Sequence, residues 1–80
     1  MSAVSAVRNR IIRLCGERDM TINKLATISG ISPSSIKSIL YGRSKDPGIV
    51  IIKKMCDGLE ITLGEFFSTP EFDDLEQEIK

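Results

Sequence analysis

The sequence predicts an all-α domain: four or five short helices around one aliphatic core, with an extra C-terminal helix as an option. Three observations carry this. Apolar residues recur at spacings of three and four, the period of a helix with one buried face. Serine, threonine, glycine and proline fall between those segments, where helices need caps and stops. Only Tyr41, Phe66, Phe67 and Phe72 are aromatic, so Ile, Leu, Val and Met must fill the core. Eighty residues are enough for one domain and too few for a second core.

The spacing of Val4, Val7, Ile11 and Leu14 predicts a first helix from about Ser5 to Arg18, with residues 1–3 frayed. Arg8, Arg10 and Arg13 lie off that stripe and are expected to face solvent, one of them within reach of a phosphate. Gly16 weakens the helix late without ending it. Glu17, Arg18 and Asp19 form a polar corner, and Met20 turns back toward the core. Thr21 is a good N-cap for a second helix, Ile22 to Ser29. Gly30 accepts a positive φ without steric cost, so it can end that helix and redirect the chain. Ser32 suits the next N-cap and Pro33 the first helical position of a third helix, about Pro33 to Tyr41. Gly42 stops it.

GRSKDPG, residues 42–48, reads as a loop, since the residue before a proline is pushed out of helical geometry. A fourth helix follows, about Ile49 to Leu59, with Gly48 as N-cap and Ile49, Ile52, Met55, Cys56 and Leu59 as its inner stripe. Val50 and Ile51 fall off that stripe. They read either as a wider buried face or as part of a self-association patch. Thr62 caps a short fifth helix, Leu63 to Phe67, whose two phenylalanines close the base of the core. Ser68, Thr69 and Pro70 break the pattern. EFDDLEQEIK then repeats apolar residues at Phe72, Leu75 and Ile79, with acids filling the rest. It is either an amphipathic final helix or a partly ordered tail, and ten residues need something to pack on. The chain thus divides into a body, residues 1–69, and an acidic tail, residues 70–80.

Leu25, Ala26, Gly30, Ile31, Ile36 and Ile39 together fit a helix-turn-helix, with small Ala26 letting the two helices approach. RIIRLCGERDMTINKLA runs into that motif and YGRSKDPGIVIIKKMCDGLEITLGEFF follows it. With these flanks the chain resembles the DNA-binding domains of the lambda-repressor and Cro-like family, also called the xenobiotic-response-element family. The resemblance extends over roughly Ser5 to Phe67. It implies a lambda-repressor-like fold, double-stranded DNA as the partner, and no cofactor or small-molecule ligand.

In that family, residues at the start and middle of the second motif helix read bases. The matching positions here are Pro33, Ser34, Lys37 and Ser38, with Ser32 and Ser35 beside them. Lys37 is the strongest candidate, because lysine donates to guanine O6 and N7. Serine hydroxyls both donate and accept, so they discriminate bases poorly. The helix lacks the Gln, Asn or Arg of bidentate readout, a departure that points to some reliance on DNA shape. Phosphate donors are expected on either side. Thr21 and Asn23 open the second helix, whose dipole and free N–H groups favour an anion. Arg43, Ser44 and Lys45 follow the third helix, and Tyr41 and Lys24 add donors. Each cation alone reads equally well as a solvated surface charge; their grouping favours the phosphate role. Lys53 and Lys54 are ambiguous. No basic arm precedes the first helix.

Net charge is zero but uneven. Residues 1–64 hold ten Lys/Arg against five Asp/Glu, a net of +5, whereas residues 65–80 hold one lysine against six acids, a net of −5. A basic body suggests nucleic acid. Cys15 and Cys56 are far apart, outside any C-x-x-C spacing, and there is no His, so the usual zinc sites are excluded. The cysteines read as small buried hydrophobes kept reduced. Without an imidazole no Ser/His/Asp or Cys/His arrangement forms, and GRSKDPG lacks the spacing of a phosphate loop; an enzyme is not expected. No stretch approaches the ~20 apolar residues of a membrane span, and arginines interrupt the N-terminus before any signal-peptide core. The expected location is the cytoplasm.

These readings converge on a transcriptional regulator, of repressor or controller type, binding operator DNA as a homodimer through helix 33–41. Val50, Ile51, Leu63, Phe72, Leu75 and Ile79 are the candidates for the dimer surface. The alternative is a protein-interaction module, such as an antitoxin-like chain whose acidic tail masks a basic partner.

Overall fold

A computed structural model describes residues 1–79. Six helices follow in order: α1 Ala3–Glu17, α2 Ile22–Ser29, α3 Pro33–Leu40, α4 Ile49–Leu59, α5 Leu63–Phe67 and α6 Pro70–Asp73. Among the described residues there is no strand. Helix α2 is central, packed on α4 and α3, while α1 meets α3 and α6. Ile11, Leu25, Ile36, Met55, Cys56 and Phe66 are fully buried between them. Aliphatic residues fill this core, as the scarcity of aromatics requires.

Helix α1 begins earlier than the frayed start expected from the sequence. Ser2 is its N-cap, its hydroxyl accepting from Ser5 N–H at 3.3 Å. The free Ala3 N–H donates to the Glu78 carboxylate at 3.1 Å, so an acid from the far end of the chain satisfies a group the helix leaves open. Val7, Ile11 and Leu14 are buried as expected, joined by Ala6 and Cys15; Val4 is half-buried.

Four helix ends share one device. Asp19, Gly30, Gly42 and Glu60 are left-handed, with φ of 52°, 66°, 82° and 58°. After each, the next N–H reaches back five residues: Met20 to Cys15 O at 2.9 Å, Ile31 to Ala26 O at 3.1 Å, Arg43 to Ser38 O at 2.9 Å, Ile61 to Cys56 O at 3.0 Å. This satisfies the terminal carbonyls and turns the chain sharply. Two of the four are glycines; Asp19 and Glu60 hold the same conformation against a Cβ penalty.

Two expectations are corrected. Ile49 belongs to the α4 stripe by period, yet it is 58% exposed, and Val50 is 63% exposed. Gly48 is exposed too, so the N-terminal edge of α4 at Gly48–Val50 faces outward; the buried stripe starts at Ile52. Ile51 is half-buried against the core. The second correction concerns arginines expected in solvent. Arg10 Nε donates to Phe66 O at 2.8 Å and Nη2 to Glu65 O at 2.9 Å, capping the last turn of α5. Arg8 does the same for α3, donating from Nε to Ile39 O at 2.6 Å. Cations at helix C-termini answer both the free carbonyls and the negative dipole end. Arg13 alone of the three is exposed.

The tail is not a ten-residue amphipathic helix. Helix α6 ends at Asp73, and the chain then meets its own N-terminus, with Glu76 N–H donating to Met1 O at 3.2 Å. Phe72 lies 5.0 Å from the Phe67 ring centroid and 6.2 Å from that of Phe66. Leu75 is half-buried and Ile79 is 81% exposed, so the three apolar residues do not share one buried face. Lys80 lies outside the described residues.

Both cysteines are buried and free, and burial is the main force raising each thiol pKa. At Cys56, Lys53 and Arg10 oppose that rise and Asp57 adds to it. Lys53 pairs with Asp57 one turn along α4. No helix among the described residues is long and apolar enough to cross a membrane.

Candidate nucleic-acid interface

The site is built on α2, the turn and α3. Thr21 accepts from Lys24 N–H at 3.1 Å and starts α2. Leu25, Ala26 and Ser29 form the buried face of α2; Asn23, Lys24 and Thr27 lie on the exposed one. Gly30 then turns the chain, and buried Ile31 anchors the turn in the core. Ser32 accepts from Ser35 N–H at 3.3 Å and starts α3 with Pro33 in its first turn. Helix α3 is held from beneath by Ile36 and Ile39, with Leu40 half-buried beside them.

Apolar burial on one side of α3 forces its polar side outward. Ser32, Pro33, Ser34, Ser35 and Lys37 are all exposed, and Tyr41 is 70% exposed at the C-terminal end. Ser38 is half-buried and lines an open groove with Ser35 on one side and Ser44, Asp46 and Pro47 on the other. The N-terminal hydroxyls touch each other: Ser32 Oγ lies 2.8 Å from Ser35 Oγ and 3.3 Å from Ser34 Oγ. Each hydroxyl can keep one such partner and still bond a base edge. Lys37 makes no ion pair or hydrogen bond among the described residues, so its ammonium is free to meet an acceptor.

The loop after α3 is drawn back onto that helix. Ser38 O accepts from Arg43 N–H at 2.9 Å and from Ser44 N–H at 2.8 Å. Arg43 and Lys45 therefore extend from the C-terminal end of α3 and are exposed; Ser44 is half-buried. At the other flank, Ile22 and Asn23 contribute first-turn N–H groups of α2 beside exposed Lys24. Cations and open N–H groups thus bracket a helix that carries no acid on its own surface. Such a bracket suits a polyanion, while hydroxyls and one lysine can donate to groove edges.

Sequence reasoning missed Arg8, which binds the loop as well as α3: its Nη2 lies 3.5 Å from Ser44 O. Residues 8 and 44 are too far apart in the chain for local spacing to connect them. It also missed Gly58. A Cβ there would sit 2.8 Å from Ser29 Oγ and 2.9 Å from Ile28 O, so the missing side chain is what lets α4 approach the end of α2. Of the residues expected at a dimer surface, Ile51, Leu63 and Phe72 pack against the chain's own core, Leu75 is half-buried, and Val50 and Ile79 are exposed.

Fold and site define a helix-turn-helix DNA-binding domain. The chain belongs to the family of Cro/C1-type HTH DNA-binding domains, which matches residues 10–71. It is similar to the HTH-type transcriptional regulator SlrR of Bacillus subtilis (strain 168), 41% identical over 59 residues, covering 72% of this chain and 39% of SlrR. It is also similar to the HTH-type transcriptional repressor RghR of the same organism, 42% identical over 45 residues, covering 56% of this chain and 33% of RghR. The chain therefore spans well under half of these relatives. Among solved structures, that of the prophage Lp1 protein 11 matches with a TM-score of 0.81 and 32% identity, over 94% of this chain and all of that one.

Proposed function

We propose that the chain is a sequence-specific transcriptional regulator, of repressor or controller type, acting in the cytoplasm as a homodimer on operator DNA. The observation that carries this is the bracket around α3: a serine-rich, acid-free face with Lys37 midway, and Arg43, Lys45 and the α2 N-terminus on its flanks. Ser32, Pro33, Ser34, Ser35, Lys37 and Ser38 then meet bases. Thr21, Asn23 and Lys24 hold phosphates at one end, and Tyr41, Arg43, Ser44 and Lys45 at the other. The want of bidentate side chains on α3 favours shape readout alongside Lys37. Two copies joined through the exposed first turn of α4, around Val50, would present two α3 helices to successive turns of the groove. The names of SlrR and RghR support the regulatory reading. The tail's bonds to Met1 and Ala3 of its own chain favour a structural role for it over capture of a basic partner.

Selection of bound sequences from a random duplex pool tests this. A two-fold symmetric consensus, with affinity falling steeply as salt rises, is the expected result. Failure to enrich any sequence, together with salt-independent retention, would overturn it.

A further inference from the structure

Among the described residues, Arg8 is the one side chain from outside the motif that hydrogen-bonds both α3 and the loop behind it. Its Nε donates to Ile39 O at 2.6 Å, and its Nη2 makes a longer contact to Ser44 O at 3.5 Å. A Cβ on Gly42, the left-handed residue between those two carbonyls, would lie 3.7 Å from the same Nη2. The guanidinium thus lies against the whole turn that leaves α3.

The carbonyls of that turn explain why a cation belongs there. Lys37 O is taken by Tyr41 N–H and Ser38 O by Arg43 and Ser44. Ile39 O falls at the negative end of the helix with no backbone donor among these bonds, and Arg8 supplies one from α1. The planar fork can address two carbonyls at once; a lysine ammonium is a single point. Through Ser44 the same fork touches the loop from which Arg43 and Lys45 leave the body.

We infer that Arg8 is a positioning residue for DNA binding: it sets the angle between α3 and the Arg43–Lys45 loop without touching DNA. This rests on the reading of α3 and that loop as the DNA-contacting elements. If Arg8 works this way, losing it loosens phosphate contacts made by other residues. Its effect must then depend on those residues being present.

The test uses the full chain, the best duplex from the random-pool selection, and a shuffled duplex of equal length. Affinities of the parent, Arg8→Met, Arg8→Lys, Arg43→Ala and the Arg8→Met/Arg43→Ala pair are measured across a salt series. Arg8→Met, which keeps the stem and removes the fork, is expected to weaken both duplexes about tenfold and lower the salt slope by about one phosphate contact. That loss should shrink several-fold when Arg43 is already Ala, because the two changes act on one contact. Arg8→Lys guards against misfolding; it should keep the parent's melting temperature and retain most of the affinity loss. Independent, multiplying losses would overturn the inference, as would full affinity in Arg8→Lys, which would make Arg8 a phosphate ligand by charge alone. A parent that binds neither duplex would sink the underlying reading of α3 and this inference with it; a binding parent matched by Arg8→Met would sink this inference alone.

Discussion

Gly58 of α4 lies so close to Ser29 at the end of α2 that a Cβ would sit 2.8 Å from the serine hydroxyl oxygen. The nearest backbone, Ile28 O at 2.9 Å, cannot rotate away. Gly58→Ala should therefore push α4 off α2. Overpacking costs about 1–3 kcal/mol, and the better helix propensity of alanine returns up to about 1. A net loss of about 1–2 kcal/mol in urea unfolding is expected. An unchanged midpoint would mean the helices shift apart freely.

Ser29 itself offers the complementary test. Its hydroxyl is buried and has no hydrogen-bond partner among the described residues. Ser29→Ala removes an unsatisfied group, so stability should hold or rise by up to about 1 kcal/mol. In the Gly58→Ala background it should recover part of the loss, which a double-mutant cycle in urea would read directly.

Asp19 and Glu60 occupy positions where glycine is free of strain. Glu60→Gly and Asp19→Gly should each stabilise the fold by about 1 kcal/mol, since a side chain in the left-handed region costs about that much. Thermal melts check this. A drop in melting temperature would show that the extra freedom glycine gives the unfolded chain outweighs the relief.

Phe72 closes a three-ring cluster with Phe66 and Phe67. It is half-buried, so Phe72→Ala should cost about 2 kcal/mol, below the range for a fully buried ring. Equilibrium unfolding that left stability unchanged would instead make α6 an adjunct to the fold.

Burial raises the pKa of both thiols, so the folded state holds their protons more tightly than the unfolded chain. Unfolding then releases protons only above the unfolded thiol value of about 8.5. Stability should be level on this account through neutral pH and fall as pH climbs past that value toward the folded ones. Urea midpoints at rising pH should fall less in a Cys15→Ala, Cys56→Ala double variant.

Much of this architecture was legible locally. Thr21, Gly30, Ser32 and Thr62 announce their helix boundaries because capping and left-handed turns are short-range chemistry. The α3 face followed from which residues had to be buried. Long-range bonds were another matter. Arg8 and Arg10 lie off the apolar stripe of α1, so period alone assigned them to solvent; their acceptors are 31 and 56 residues away. Ile49 fits the α4 stripe by arithmetic, but burial needs a neighbour, and in the first turn of α4 it is Ile51 that meets the core while Ile49 faces out. The spacing of Phe72, Leu75 and Ile79 is helical, yet α6 stops at Asp73 and the residues beyond it bond to the N-terminus instead.

Helix α3 has only eight residues, which at about 1.5 Å each gives a rod roughly 12 Å long. Base pairs rise by about 3.4 Å, so such a rod can lie along three or four letters of text at once. A word that short recurs by chance throughout any genome, among vast numbers of competing stretches. On the function proposed above, an address long enough to be singular takes a second reading of the groove beside the first.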